Sequence, residues 1–402
     1  MSTDEIAERD RDAQRGFFGT YIDRLKGGDL GALPVIFGLI VIWVVFYSQE
    51  SAFLSAFNLT NLSLQIAAVG IVSIGVVWVL LLGEIDLAVG SISGLCAAVA
   101  VVANLDHGVP GWLAIVIGLA AGAGIGCLQG LIITMLKVPS FIVTLAGLIG
   151  WQGVLLYILG EGGTRNITNA QILGLAGTFY KPVVAWPIAI ILVGLLIASD
   201  HWRRIRRQRA GLSAESLLGM SIRHGIIAAI AFGAIAVFAP DRGLPLALLI
   251  LLALVVVFDL IARRTLFGRH VFAVGGNPEA ARRAGIRVDR IRVIVFTLSG
   301  LFAAAGGIMA ASRLLAVNQA SGSGQFLLQA IAGAVIGGTS LFGGRGTIYS
   351  ALLGALVLGS VGNGIPLLGK SSDFEFMITA LVLLAAVIVD ATARRGRQSS
   401  AR

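Results

Sequence analysis

The sequence predicts an all-α polytopic membrane protein with about 10–12 transmembrane helices, some broken or re-entrant. Three observations carry that prediction. Of the 402 residues, 57% are hydrophobic and only 13% are charged, whereas a soluble domain carries about 25% charged residues. The apolar residues gather into runs matched to a bilayer, whose hydrocarbon of about 30 Å takes about 20 helical residues. The basic residues, finally, alternate between connecting segments as membrane insertion dictates. A mean hydropathy of +0.91 excludes a disordered chain and an ordinary water-soluble enzyme.

Residues 1–32 are polar, of mixed charge, and lack a small-residue cleavage site, so they read as a retained N-terminal tail. Twelve apolar runs follow, at 33–47, 62–83, 87–104, 112–136, 141–159, 182–199, 225–239, 244–262, 291–311, 326–341, 347–368 and 374–391. The run at 326–341 is the least secure and is a candidate for re-entering without crossing. The membrane domain therefore spans 33–391, and 392–402 form a C-terminal tail. If the N-terminus is cytoplasmic, 25 of the 30 Lys and Arg residues fall on the inside. Only Arg165, Lys181, Arg242, Arg313 and Lys370 fall outside. Positive charge stays in the cytoplasm during insertion, so both termini are predicted inside a bacterial cytoplasmic membrane. The net charge of +9 is then loop charge, and not a nucleic-acid surface.

Glycine is abundant, at 53 residues. Gly118, Gly122, Gly126 and Gly130 recur every four positions and predict a smooth ridge for close helix packing. A weak internal repeat aligns Gly83-Glu-Ile-Asp-Leu-Ala-Val-Gly90 with Gly337-Gly-Thr-Ser-Leu-Phe-Gly-Gly344; repeats with broken helices frame the pathway in many transporters. Cys96 and Cys127 sit inside apolar runs and the four His residues are scattered, so neither a disulfide framework nor a metal site is predicted. No catalytic constellation stands out, and the chain reads as a non-enzyme without a cofactor of its own.

Four groups of residues carry chemistry. Glu84 and Asp86 interrupt the second and third runs. They line a polar path, or they occupy a solvated cytoplasmic turn. The amides Asn318, Gln319, Gln325, Gln329 and Asn363 form a second group, able to donate to and accept from a hydroxyl-rich solute; interhelical hydrogen bonding is the plainer reading. The stretch 263–292 is the most informative. Within Gly275-Gly276-Asn277-Pro-Glu279-Ala280-Ala281-Arg-Arg-Ala-Gly285-Ile286, Asn277 caps a helix beginning at Pro278. Glu279 faces its N-terminal dipole and Gly285 ends it in the left-handed conformation. Such a helix, about 6–8 residues long, is too short to persist unless it docks on something. The fourth group is a false lead. Gly364-Ile-Pro-Leu-Leu-Gly-Lys370-Ser371 fits G-x-x-x-x-G-K-[ST], but a phosphate loop must join a buried strand to a helix, and this segment ends an apolar crossing.

The Glu279-Ala280-Ala281 run followed by Gly285 resembles the EAA-x-x-x-G loop of bacterial ABC importer permeases. Its surroundings are similar, more narrowly, to the ribose/xylose/galactose branch. Three further stretches agree: Gly83 to Ser91, Val138-Pro-Ser-Phe-Ile-Val-Thr-Leu-Ala-Gly147, and Gly333 to Gly346. Glu84 stands where that branch usually has glycine. The extra crossing and the Arg-rich loop from His201 to Arg209 look like the extension of xylose permeases. The resemblance implies a transmembrane subunit that moves a monosaccharide, xylose or a related pentose. It also implies a homodimer, a cytoplasmic ABC ATPase holding ATP and magnesium, and an extracytoplasmic sugar-binding protein. The rival is an ion-coupled sugar transporter in which Asp86 or Glu84 carries the ion.

Overall fold

The computed structural model describes residues 33–209, 211 and 217–400; the tail at 1–32 lies outside the described residues. All twelve apolar runs become helices. The fold opens with α1 (Leu33–Gln49), a 3-10 turn (Ser51–Leu54), α2 (Ala56–Leu81), α3 (Val89–Leu105), α4 (Gly111–Met135) and α5 (Ser140–Leu159). The short elements β1 (Thr164–Asn166), α6 (Ala170–Gly177) and β2 (Phe179–Tyr180) lead to α7 (Pro182–Arg209) and α8 (Leu217–Phe238). Then come β3 (Leu244–Pro245), α9 (Leu246–Arg264), α10 (Leu266–Gly276), α11 (Pro278–Arg283) and α12 (Val288–Leu314). The chain ends with β4 (Ala316–Asn318), α13 (Gly324–Ile336), α14 (Tyr349–Leu367) and α15 (Ser372–Ser400). α15 continues through residue 391 to Ser400.

Among the described residues, eight helices are long and apolar enough to cross a bilayer: α2, α4, α5, α7, α8, α9, α12 and α14. α1 and α3, at 17 residues each, are shorter. α13 has 13 residues, so at 1.5 Å per residue it reaches about 20 Å, well short of about 30 Å of hydrocarbon. It is too short to cross as a straight helix.

The structure divides into two compact units. The larger takes the described residues of Ala32–Thr178 and Pro245–Ala391, the smaller those of Phe179–Leu244 and Thr392–Arg402. In the smaller unit α7 and α8 pack as a hairpin, tied by Asp200, whose Oδ2 accepts from Arg223 at 2.6 Å and lies 3.1 Å from His224 Nε2. Residues 201–209, expected as a loop, are instead the last turns of α7. Arginine is a good helix former, and cations at a helix C-terminus complement its dipole.

In the larger unit α2 is the central element, buried along most of its length. Its Trp78 is fully enclosed, with the Phe267 ring 5.4 Å away. The glycine ridge packs as predicted. A side chain at Gly122 or Gly126 would strike the carbonyls of Gly300 and Phe296 on α12, and one at Gly130 would come 2.8 Å from Val293 Cα. β1 and β4 pair antiparallel with Thr164 opposite Asn318. The phosphate-loop pattern dissolves: Gly364 and Pro366 lie in the last turns of α14, so a helix stands where the pattern needs a strand.

Candidate functional site

The stretch 263–292, expected as a loop around one short helix, is helical almost throughout. α10 was hidden by Arg269 and His270, which interrupt its apolar pattern, and went unpredicted. The second helix, α11, is the six-residue element the caps foretell. The Asn277 side chain accepts from Ala280 N at 3.0 Å, with Pro278 in the first turn. Gly285 has φ +84°, and Ile286 N returns to the Ala281 carbonyl at 3.0 Å. Ala281 is buried against the chain, while Glu279, Ala280, Arg282 and Arg283 are exposed. Glu279 pairs with Arg282 at 2.8 Å on the open surface, where such a pair adds little stability. One face of α11 is thus anchored and the other is presented outward.

The anchor is a junction of three backbone segments. Gly275, in the last turn of α10, lies directly on the carbonyl of Leu81 at the end of α2; a Cβ there would collide with that oxygen and stand 2.7 Å from Gly344 N. Gly344 N in turn donates to the Leu81 carbonyl at 2.9 Å. A Cβ on Gly343 would meet the Gly275 carbonyl at 2.6 Å and Gly83 N at 2.8 Å. The two segments matched by the weak internal repeat, 83–90 and 337–344, therefore touch each other and the end of α10 that leads into α11. Only glycine permits backbones this close.

The interruption between α2 and α3 is secured from α12. Glu84 Oε1 accepts from Arg292 Nη2 at 2.9 Å. Asp86 is 3% exposed; its Oδ2 accepts from the Ser299 hydroxyl at 2.8 Å and its Oδ1 from Ala88 N at 2.9 Å. Glu84 is thus a paired acid and Asp86 a buried hydrogen-bonded one. Thr144 of α5 adds a contact to the Ile85 carbonyl at 3.3 Å. Arg292 and Ser299 were not singled out in the sequence; their spacing of seven residues, two helical turns, places both on one face of α12.

The amides do not form one cluster. Asn318 turns back on its own loop, its side chain accepting from Ala320 N at 2.9 Å. Gln319 offers its carbonyl to Gln152 Nε2 at 2.8 Å. Asn363 is buried and accepts from Asn58 Nδ2 at 2.7 Å. Gln325 and Gln329 lie one turn apart on α13, and Gln325 Nε2 is 3.4 Å from Glu375 Oε1.

A family model described as the permease component of a branched-chain amino acid transport system matches residues 58–387. The chain belongs to that permease family. The xylose transport system permease protein XylH of Escherichia coli K12 is 36% identical to this permease over 373 residues, covering 92% of this chain and 94% of the relative. The XylH of Haemophilus influenzae is 34% identical over 378 residues, covering 92% and 99%. The ribose import permease protein RbsC of Bacillus subtilis is 32% identical over 364 residues, covering 90% and 94%. No solved structure gives a significant match. The family description names amino acids and the relatives are named for sugars, so membership makes this chain a multi-pass membrane transport component without fixing its cargo.

Proposed function

We propose that this permease is the membrane subunit of an ATP-driven importer that moves a monosaccharide, xylose or a related pentose, into the cell. It works as a homodimer with N- and C-termini in the cytoplasm, receiving sugar from an extracytoplasmic binding protein. ATP and magnesium are held by a separate cytoplasmic ABC ATPase. The observation that carries this reading is the architecture of α11. A helix too short to be stable alone is capped at both ends and pinned by Ala281, and it exposes Glu279, Ala280, Arg282 and Arg283. The end of α10 that leads into it, at Gly275, lies on the breaks between α2 and α3 and between α13 and α14. A partner that grips the exposed face moves both breaks at once, through contacts too tight to slip. The xylose assignment draws on the relatives' names and on the α7–α8 hairpin.

The test is reversal of charge on the gripped face. Glu279→Lys in the assembled importer should leave the chain folded and ATP hydrolysis measurable, with sugar uptake cut by at least tenfold. Gly285→Asp should act in the same direction by disturbing the turn that ends α11. Normal coupled uptake in both variants would refute the assignment of α11.

A further inference from the structure

Several buried polar atoms of the described residues lack a hydrogen-bond partner, Trp78 Nε1 and Thr339 Oγ1 among them, and Gln129 contributes both atoms of its amide. Gln129 is 2% exposed, and neither its Oε1 nor its Nε2 has a hydrogen-bond partner. Trp151 Nε1 on α5 is likewise buried and unpartnered. The two orphans face the same spot. A side chain at Gly147 would run into Gln129 Nε2 and stand 3.1 Å from Trp151 Nε1 and 3.2 Å from Ala88 Cβ. They meet beside the interruption between α2 and α3, where Ala88 begins α3 without a side-chain cap.

Elsewhere the same chain pairs its buried amides. Asn58 donates to Asn363 at 2.7 Å and to the Phe53 carbonyl at 2.8 Å. Leaving a buried donor and acceptor unmatched costs stability, and each such group calls for an explanation. In a molecule that must alternate between states, one explanation is that these groups are matched by what passes through. Gln129 supplies two donors and an acceptor, and Trp151 an N–H beside a flat apolar ring. That set complements a small ring carrying hydroxyls on its edge and C–H groups on its face. It carries no charge, so it gives an ion no counter-charge. In the state seen here α5 approaches at Gly147 and leaves no room between the two groups, so a ligand enters only when α4 and α5 part.

We propose that Gln129 and Trp151 form a transient hydroxyl-binding contact for the cargo, exposed as the path opens and closed over Gly147 in the state seen here. The proposal rests on the reading of this chain as a monosaccharide importer.

The experiment uses the assembled importer in vesicles, with xylose as the probe, beside thermal unfolding of the purified chain in detergent. Gln129→Met keeps the length of the side chain and removes the orphan amide. It should raise the Tm by about 2–4 °C while lowering the uptake rate by about tenfold. Trp151→Phe keeps a ring and removes the N–H; it should lower uptake severalfold and leave the Tm within about 2 °C. A structural amide would give the opposite pattern, with Tm and uptake falling together, and that result overturns the proposal. So does undiminished uptake in both variants when wild type transports normally. A wild-type assembly that moves no monosaccharide defeats the importer reading itself, and the proposal with it.

Discussion

Gly275→Ala separates steric locking from helix propensity because the two predict opposite signs. Gly275 lies in the last turn of α10, and propensity alone credits alanine with up to about 1 kcal/mol in a helix interior. The new methyl would collide with the Leu81 carbonyl and come 2.7 Å from Gly344 N, so it enters the hydrogen bond between those two groups. Forcing a methyl into packed backbone costs about 1–3 kcal/mol, and losing that bond about 0.5–1.5 kcal/mol more. Net of propensity, the junction should lose about 0.5–3.5 kcal/mol. Gly276 is the internal control: a side chain there meets nothing within 4 Å, so Gly276→Ala should be neutral or stabilising by less than about 1 kcal/mol. Thermal unfolding of the purified chain reads the stability, and sugar-stimulated ATP hydrolysis of the assembly reads the coupling. Gly275→Ala should lower both, and Gly276→Ala neither. Equal behaviour of the two variants would refute the argument that α11 acts through a tight backbone junction.

Three further outcomes follow from the same contacts. Because Glu84 and Arg292 are paired at 2.9 Å, Glu84→Arg should impair folding and transport, and adding Arg292→Glu should recover most of the loss. Failure of the double reversal to rescue would show that Glu84 serves a role other than pairing. Asp86→Asn retains an acceptor for Ala88 N and can donate to the Ser299 hydroxyl, whereas Asp86→Ala abandons both bonds. The asparagine variant should therefore keep most of its uptake, and the alanine variant should lose about 2–4 kcal/mol of stability in a chemical-denaturation assay; an inactive, well-folded asparagine variant would point to an ion-carrying carboxylate. Lys370 follows the end of α14 and lies over the Phe374 ring at 5.8 Å. Lys370→Ala should leave ATP-driven uptake within about twofold of wild type, and a dead transporter would reopen the phosphate-loop reading.

What the sequence made legible was local. Runs of apolar residues specify helices in a bilayer because every backbone group must be satisfied within its own segment, so all twelve runs are found as helices. The six residues of α11 were equally readable, since Asn277, Pro278 and Gly285 act on their immediate neighbours. α10 was missed because Arg269 and His270 interrupt its apolar pattern, and residues 201–209 because an arginine run resembles a solvated loop. Contacts between distant segments were invisible. Arg292 lies 208 positions from Glu84, and nothing at either residue announces the pairing. The glycines of 83–90 and 337–344 were noticed as a repeat, yet their meeting at Gly275 needs the fold to bring three helix ends together. Gln129 was passed over as one polar residue in a long apolar run; only the absence of a partner makes it informative.

The central claim is that this permease is a gate without a motor. Purified and reconstituted alone in sealed vesicles, under an imposed proton or sodium gradient, it should accumulate no xylose; supplied with its ATPase, binding protein and ATP, it should concentrate the sugar. Gradient-driven accumulation by the isolated chain would contradict the account.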